Sequence, residues 1–380
     1  RMSRILIAAA GTGGHVFPAL AVAEQLRSEG HQVEWVGTEE QRIEAKVVPQ
    51  HGFTLHRISM TGLRGHGVKR LISMPKTLFS AWRQTRKLFH QLQPDLVLTF
   101  GGYVCAPVGW VAHGLGVPLI THEQNSVPGM TTLLLARWAN TVLLGLPLDK
   151  SRSKSLQLLK RDHVYRVGNP LRQDIIKAAH QADREQATAS TNILIVGGSL
   201  GARVFNQTLP EALLQVDASL NVTHQVGAGN AASVEAHYGA LNNEHHTVEV
   251  VEFIDDMASA YAAADIIISR AGALSVSEIC GIGRAAIFVP LPHAVDDHQT
   301  ANAKAVTDAG GALLIAQDEF TAENLAKSLQ SLLQAPSQLW KMASFSRSVG
   351  ELQATDHIVD LCLQVLAGET HPQPAVERAL

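Results

Sequence analysis

A chain of 380 residues, 46% apolar and 17% charged, exceeds the roughly 250–300 residues at which single cores stop growing, so two globular domains are expected. A formal net charge of −3 gives no global electrostatic case for nucleic acid. Three widely spaced cysteines (Cys105, Cys280, Cys362) argue against a disulfide framework and fit a reducing compartment. No apolar run reaches the roughly 18 residues of a membrane span, because Arg137 and Asn140 interrupt Leu133–Leu148.

The first element is decisive. Residues 5–10 read as a buried strand, Gly11-Thr-Gly-Gly-His15 as a glycine turn, and Val16 to Glu29 as a helix that Gly30 stops. A strand, a glycine turn and a helix N-terminus together can hold an anion, since glycines let the backbone approach and free N–H groups point outward. The turn is not G-x-G-x-x-G, because Val16 takes the third glycine's place, and no Gly-Lys-Ser/Thr follows to make a P-loop. His15 stands at its mouth, where a proton could be moved. The same unit returns at Ile193–Phe205, which aligns without a gap on Ile5–Phe17, so the chain reads as two copies of one α/β architecture.

Strands are expected at 32–37, 53–58, 95–100 and 117–121, with a glycine-rich basic loop at 62–70 and a helix from Pro75 to about Gln91. The turns Gly101-Gly102-Tyr103 and His122-Glu-Gln-Asn125 fall at strand carboxyl ends, where doubly wound sheets bind ligands. Residues 145–172 lose the α/β rhythm and hold the domain boundary. The second half alternates strands near 193–197, 221–226, 247–253, 264–269, 284–289 and 311–315 with helices. A last helix near 353–366 leads to a polar tail expected to be disordered.

Three constellations are candidates for chemistry, and a fourth has a structural reading alone. Arg270-Ala-Gly-Ala-Leu-Ser-Val-Ser-Glu278 follows a strand and opens a helix; its amides suit an anion, and Glu278 suits vicinal hydroxyls such as a ribose, although an acidic residue is common in a helix's first turns. The run from His293 to Asn302 contains His293, Asp296, Asp297 and His298. It raises a metal site, but it reads equally well as a sugar-binding loop, and no H-E-x-x-H or D-x-D pattern occurs in the chain. His122-Glu123 is a candidate acid/base pair or a satisfied structural one. Asp255-Asp256 reads as a helix cap.

The ordered motifs Gly11-Thr-Gly-Gly-His-Val-Phe-Pro-Ala, His122-Glu-Gln-Asn, Gly197-Gly-Ser-x-Gly-Ala-Arg, Phe253-Ile-Asp-Asp-Met and Gly272-Ala-x-Ser-x-Ser-Glu278 resemble those of the MurG family of bacterial N-acetylglucosaminyltransferases over residues 4–366. The resemblance implies the GT-B fold class, α/β, with two Rossmann-like domains facing a cleft. An acceptor and membrane domain would span 1–168, a UDP-GlcNAc domain 169–349, a helix at about 350–368 would pack back on the first, and 369–380 would be tail. It implies inverting transfer of GlcNAc from UDP-GlcNAc to the MurNAc C4 hydroxyl of undecaprenyl-diphospho-MurNAc-pentapeptide (lipid I), giving lipid II, with no cofactor and no metal.

By motif, Ile254 would meet the uracil, Glu278 the ribose, and Ala273, Leu274, Ser275, Val276 and Ser277 the diphosphate, helped by Ser199 and Arg172. Gln299, beside His298, would reach the transferred sugar, and Thr12, Gly13, Gly14 and Asn125 would close on the donor. His15 would be the general base, with Glu123 the alternative. An imidazole with an unperturbed pKa near ~6.5 suits that task. Leu200 stands where the family usually has Gln, and Ala10 where it commonly has Gly. The lipid acceptor implies attachment to the cytoplasmic face of the bacterial inner membrane. Phe79, Trp82, Arg83 and Arg86 would meet its anionic surface, and cell-wall or division proteins are candidate partners. Three rivals stand beside this reading: a nicotinamide-dependent dehydrogenase, a UDP-GlcNAc 2-epimerase and a non-catalytic sugar-nucleotide sensor.

Overall fold

A computed structural model describes the chain except residues 1, 41, 61–67, 152–158, 160–162, 183–189, 242–244, 295–296, 371 and 377–380, and the side chains of 68–73. Two compact units result, Arg1–Leu171 with Leu352–Leu380, and Arg172–Glu351. Each is built on a wholly parallel sheet.

In the first unit, β1 (Arg4–Ala9), β2 (Gln32–Thr38), β3 (Thr54–Ile58), β4 (Leu96–Gly101), β5 (Leu119–Glu123), β6 (Thr141–Leu144) and β7 (Val164–Arg166) lie in the order β3-β2-β1-β4-β5-β6-β7. Strand alternation divides the core between the two faces. Ile5, Ile7 and Ala9 of β1 pack with Val16, Leu20 and Leu26 of the Gly13–Ser28 helix and with Ile358, Leu361 and Cys362 of the Ala354–Leu366 helix. Leu6, Ala8 and Ala10 pack on the other face with Val108, Ala112 and Phe89. Covered on both sides, β1 can be apolar throughout, which is why it reads as an unbroken run. Each large aliphatic side chain so buried contributes about 1.5–3 kcal/mol before entropy is counted.

In the second unit, β8 (Thr191–Val196), β9 (Leu220–Gln225), β10 (Thr247–Val251), β11 (Ile266–Ser269), β12 (Ala285–Phe288) and β13 (Ala312–Leu314) take the order β10-β9-β8-β11-β12-β13. In both sheets the chain leaves its first strand toward one edge and later returns on the other side of it. The crevices at the carboxyl ends, between β1 and β4 and between β8 and β11, are therefore the ligand positions of such sheets.

Several expectations need correction. The rhythm does not stop at residue 145, because β7 pairs parallel with β6 in register Val142–Val164. The helix expected from Pro75 runs Val68–Leu92, so 68–70 are helical, while 62–67 lie outside the described residues. Pro75 is exposed there, and the carbonyl its missing N–H releases can turn to water. The described part of the tail is held: Gln364 Nε2 donates to Gln373 O at 3.1 Å, Gln373 N–H returns to Gln364 Oε1 at 2.9 Å, and Val376 joins the core.

Candidate functional site

On the first unit, the carboxyl ends of β1 and β4 meet closely. Ala10 N–H donates to Gly101 O at 3.2 Å. Gly101 and Gly102 have φ of +117° and +100°, and a Cβ on Gly102 would stand 2.6 Å from Ala10 O. A Cβ on Gly101 would fall 2.7 Å from His15 Nε2, so glycine there makes room for the imidazole. His15 Nδ1 lies 3.0 Å from the Ala10 carbonyl. A carbonyl only accepts, so Nδ1 carries the proton and Nε2 presents its lone pair, the tautomer a base requires. Thr12 is exposed and ends the turn before the Gly13–Ser28 helix, with Gly13 and Gly14 as its first residues.

The His122-Glu123 pair is not an exposed acid and base. His122 is buried, donates from Nε2 to Gly168 O at 2.9 Å, and receives Gln124 Nε2 at Nδ1 at 3.2 Å. Burial pulls its imidazole down to about 4, so it stays neutral. Glu123 is buried as well; its carboxylate accepts from Gly129 N–H at 2.5 Å, from the Thr132 hydroxyl at 3.1 Å and from Asn125 N–H at 3.4 Å. Burial raises its carboxyl and these bonds oppose the rise. Glu123 therefore braces the loop that carries Asn125 and opens the Met130–Leu135 helix. Its carboxylate is thus engaged within the unit and buried from solvent.

On the second unit, Ser199 and Leu200 are exposed on the turn after β8. Gln225, at the end of β9, accepts the N–H groups of Gly197 and Gly198 at one oxygen, each at 3.0 Å. After β11, Gly272 caps the Ala273–Ile282 helix. The first intrahelical bond is Val276 N–H to Gly272 O at 2.9 Å, so the outward amides are those of Ala273, Leu274 and Ser275. Val276 is fully buried and Ser277 bonds Ala273 O at 2.7 Å, so these two side chains face the core and the expected anion run shortens.

Arg172 and Glu278 meet: Nε reaches Oε1 at 3.2 Å and Nη2 reaches Oε2 at 3.3 Å. Burial raises the Glu278 carboxyl, and the guanidinium opposes that rise. Gln299 Oε1 accepts from Ala271 N–H at 3.2 Å and Leu291 N–H at 2.9 Å, tying two loops. His293 and Asp297 hold φ of +60° and +51°, a strained pattern at the loop that leads to His298 and Gln299. Ile254 is half-buried on the loop after β10, and Asp256 caps the next helix through Ser259 N–H at 3.0 Å. Asp296 lies outside the described residues. Among the described residues, no three His, Cys, Asp or Glu side chains group as metal ligands.

A cavity of about 570 Å³ lined by Asp265, Arg284, Trp340 and Arg347 opens at the amino ends of β8, β11 and β12, away from all of these residues. On the first unit, Phe79 is 59% exposed and stacks on Trp82 at 5.9 Å, which in turn lies under Arg86 at 5.3 Å. Arg83 and Lys87 line the same shallow groove. Among the described residues, no helix is long and apolar enough to cross a membrane.

The models of the glycosyltransferase family 28 N-terminal and C-terminal domains match residues 5–144 and 192–359. The chain belongs to glycosyltransferase family 28. A protein of Idiomarina loihiensis named UDP-N-acetylglucosamine–N-acetylmuramyl-(pentapeptide) pyrophosphoryl-undecaprenol N-acetylglucosamine transferase is 50% identical over 96% of this chain and 98% of its own length. A protein of the same name from Pseudoalteromonas translucida is 44% identical over 95% of this chain and 98% of its own length. The crystal structure of Acinetobacter baumannii MurG superposes with a TM-score of 0.83 at 39% identity, covering 96% of this chain and all of that one. A UDP-GlcNAc 2-epimerase from Neisseria meningitidis, at 15% identity and a TM-score of 0.63 over 95% of this chain and all of that one, shares the fold alone. Sequence reasoning passed over two residues that organise these turns, Glu44 and Gln225. Each is a polar residue whose partner lies far along the chain, and only folding brings them together.

Proposed function

We infer that this family 28 enzyme moves GlcNAc from UDP-GlcNAc to the C4 hydroxyl of MurNAc in undecaprenyl-diphospho-MurNAc-pentapeptide, with inversion, giving lipid II. The observation that carries the reading is the relative of that activity, 50% identical over 96% of the chain. The geometry is consistent with it. His15 Nε2 takes the proton of the acceptor hydroxyl. The departing diphosphate meets Ser199, Arg172 and the amides of Ala273, Leu274 and Ser275, so its charge is taken by donors already in place. Glu278 takes the ribose hydroxyls, Ile254 lies at the uracil, and the Gln299 amide, with His298 beside it, reaches the sugar. Thr12, Gly13, Gly14 and Asn125 complete the donor contacts.

Attachment is peripheral, at the cytoplasmic face of the inner membrane, through Phe79, Trp82, Arg83 and Arg86; cell-wall or division proteins enter only through the resemblance. UDP release, measured in excess EDTA with UDP-GlcNAc alone and with a soluble lipid I analogue, tests the reaction. Release only when acceptor is present is the expected result. Turnover of UDP-GlcNAc without acceptor would return the 2-epimerase reading.

A further inference from the structure

The peptide unit between Ala10 and Gly11 is hydrogen-bonded at both ends. Its carbonyl accepts from His15 Nδ1 at 3.0 Å, and its N–H donates to Glu44 Oε2 at 3.1 Å. Glu44 is wholly buried, and its other oxygen takes the Thr38 hydroxyl at 3.1 Å. It belongs to the first turn of the Ile43–Gln50 helix, where the helix dipole favours a negative charge. Gly37 makes space beneath it, since a Cβ there would stand 2.9 Å from Glu44 Cγ. A buried carboxylate and the imidazole thus address opposite ends of one amide.

We propose that Glu44 is the positioning residue of His15, acting through the Ala10–Gly11 peptide as a carboxylate–amide–imidazole relay. The inference rests on His15 being the base. A carboxylate that accepts the N–H polarises the amide and makes its carbonyl oxygen a stronger acceptor. That oxygen holds the Nδ1 proton, fixes the ring, and steadies the positive charge that forms when Nε2 takes the acceptor proton. As the acceptor oxygen bonds to the sugar C1, the bond from C1 to the diphosphate breaks and its electron pair leaves with UDP. The Nδ1 proton stays on the ring and Glu44 stays ionised. The logic is that of the aspartate in a Ser-His-Asp triad, one peptide removed.

Among the described residues, few other charges face this turn. Arg42 Nη1 lies 3.4 Å from where a Gly11 Cβ would stand, and Arg42 is paired to Glu40 at 2.8 Å. The buried Cys105 thiol, pushed up to about 12, is neutral, as is His122 on β5; Tyr103 follows the β4 turn and is exposed.

Glu44→Gln keeps an oxygen for Gly11 N–H and an NH₂ for the Thr38 hydroxyl while removing the charge. We expect kcat to fall about tenfold and the acid limb of its pH profile to move to lower pH, because the imidazolium loses support. The His15 imidazole titration followed by NMR should move the same way, and Glu44→Gln should cost nothing further in a His15→Ala background. An unmoved acid limb and NMR titration, or losses that multiply in the double variant, would reduce Glu44 to a structural brace. In the unsubstituted enzyme the Glu44 carboxyl carbon, ionised throughout, should change its chemical shift as His15 gains its proton; a resonance indifferent to His15 overturns the relay without any variant. If His15→Ala keeps its kcat, the base assignment itself fails, an outcome the NMR titrations tell apart from failure of the relay.

Discussion

The two glycine turns share an ancestor-like sequence and a place after the first strand of each sheet, yet what satisfies their backbone differs. In the first, Gly11 N–H is met by the carboxylate of Glu44, and an imidazole stands at the mouth. In the second, Gly197 and Gly198 are met by the neutral amide of Gln225, which also donates to Gly198 O and Glu252 O at 2.8 Å, and Arg203 stands where the first turn has His15. A carboxylate beneath a turn disfavours a second anion there and favours a proton on the imidazole; a neutral turn followed by arginine favours phosphate. On the proposed mechanism, one scaffold would serve proton transfer in one unit and charge stabilisation in the other.

The largest expected effect breaks the first turn. His15→Ala should lower kcat on a soluble acceptor by about 10²–10⁴; a near-normal kcat would remove proton transfer from this unit. Next comes a feature the two units share. His122 and His224 are buried, one in each, and burial pulls both imidazoles down to about 4 from an ordinary 6.5. The unfolded chain binds these protons at higher pH than the folded one, so stability is full above about 6.5 and falls as pH drops toward 4, by about 3 kcal/mol per histidine at full extent. Thermal melts between pH 7 and 4 check this, and a flat Tm across that window would contradict it.

On the second unit, Glu278→Ala should weaken UDP-GlcNAc binding at least tenfold, since a charge-assisted hydrogen bond contributes about 1.5–3 kcal/mol. Unchanged donor affinity in a folded variant would take the ribose away from it. The smallest effect concerns the surface around Phe79. Each cation near anionic lipid contributes about 1 kcal/mol, and salt screens it. Phe79→Ser with Arg86→Glu should loosen binding to anionic vesicles and leave activity on a short-chain acceptor intact. Parent-like vesicle binding would place the membrane face elsewhere.

Much of this was legible in the sequence because β1 and β8 are apolar runs that end in glycines, signals that depend on neighbours alone. The three-residue β7 is too short for a period to emerge, so residues 145–172 read as a break in the α/β rhythm. Glu44 sits in a polar stretch, Glu39-Glu-Gln-Arg-Ile-Glu44, that reads as solvated surface, and nothing local says that it folds beneath Gly11. Val276 and Ser277 were expected at the diphosphate because their motif was contiguous, whereas a helix turns side chains inward after its first three amides. His122-Glu123 reads as reactive in one dimension and is a packed brace in three.

The division of labour between the turns is tested most directly by the affinity of UDP for two matched glycine variants, read by calorimetry. Gly11→Ala strains the first turn at φ +101°, and Gly198→Ala strains the second at φ +87°, where an added Cβ meets nothing within 4 Å. The account predicts a UDP Kd within about twofold of the parent for Gly11→Ala and about tenfold weaker for Gly198→Ala, given a strain on the order of 1–2 kcal/mol. Equal losses in both, or a loss confined to Gly11→Ala, would contradict it.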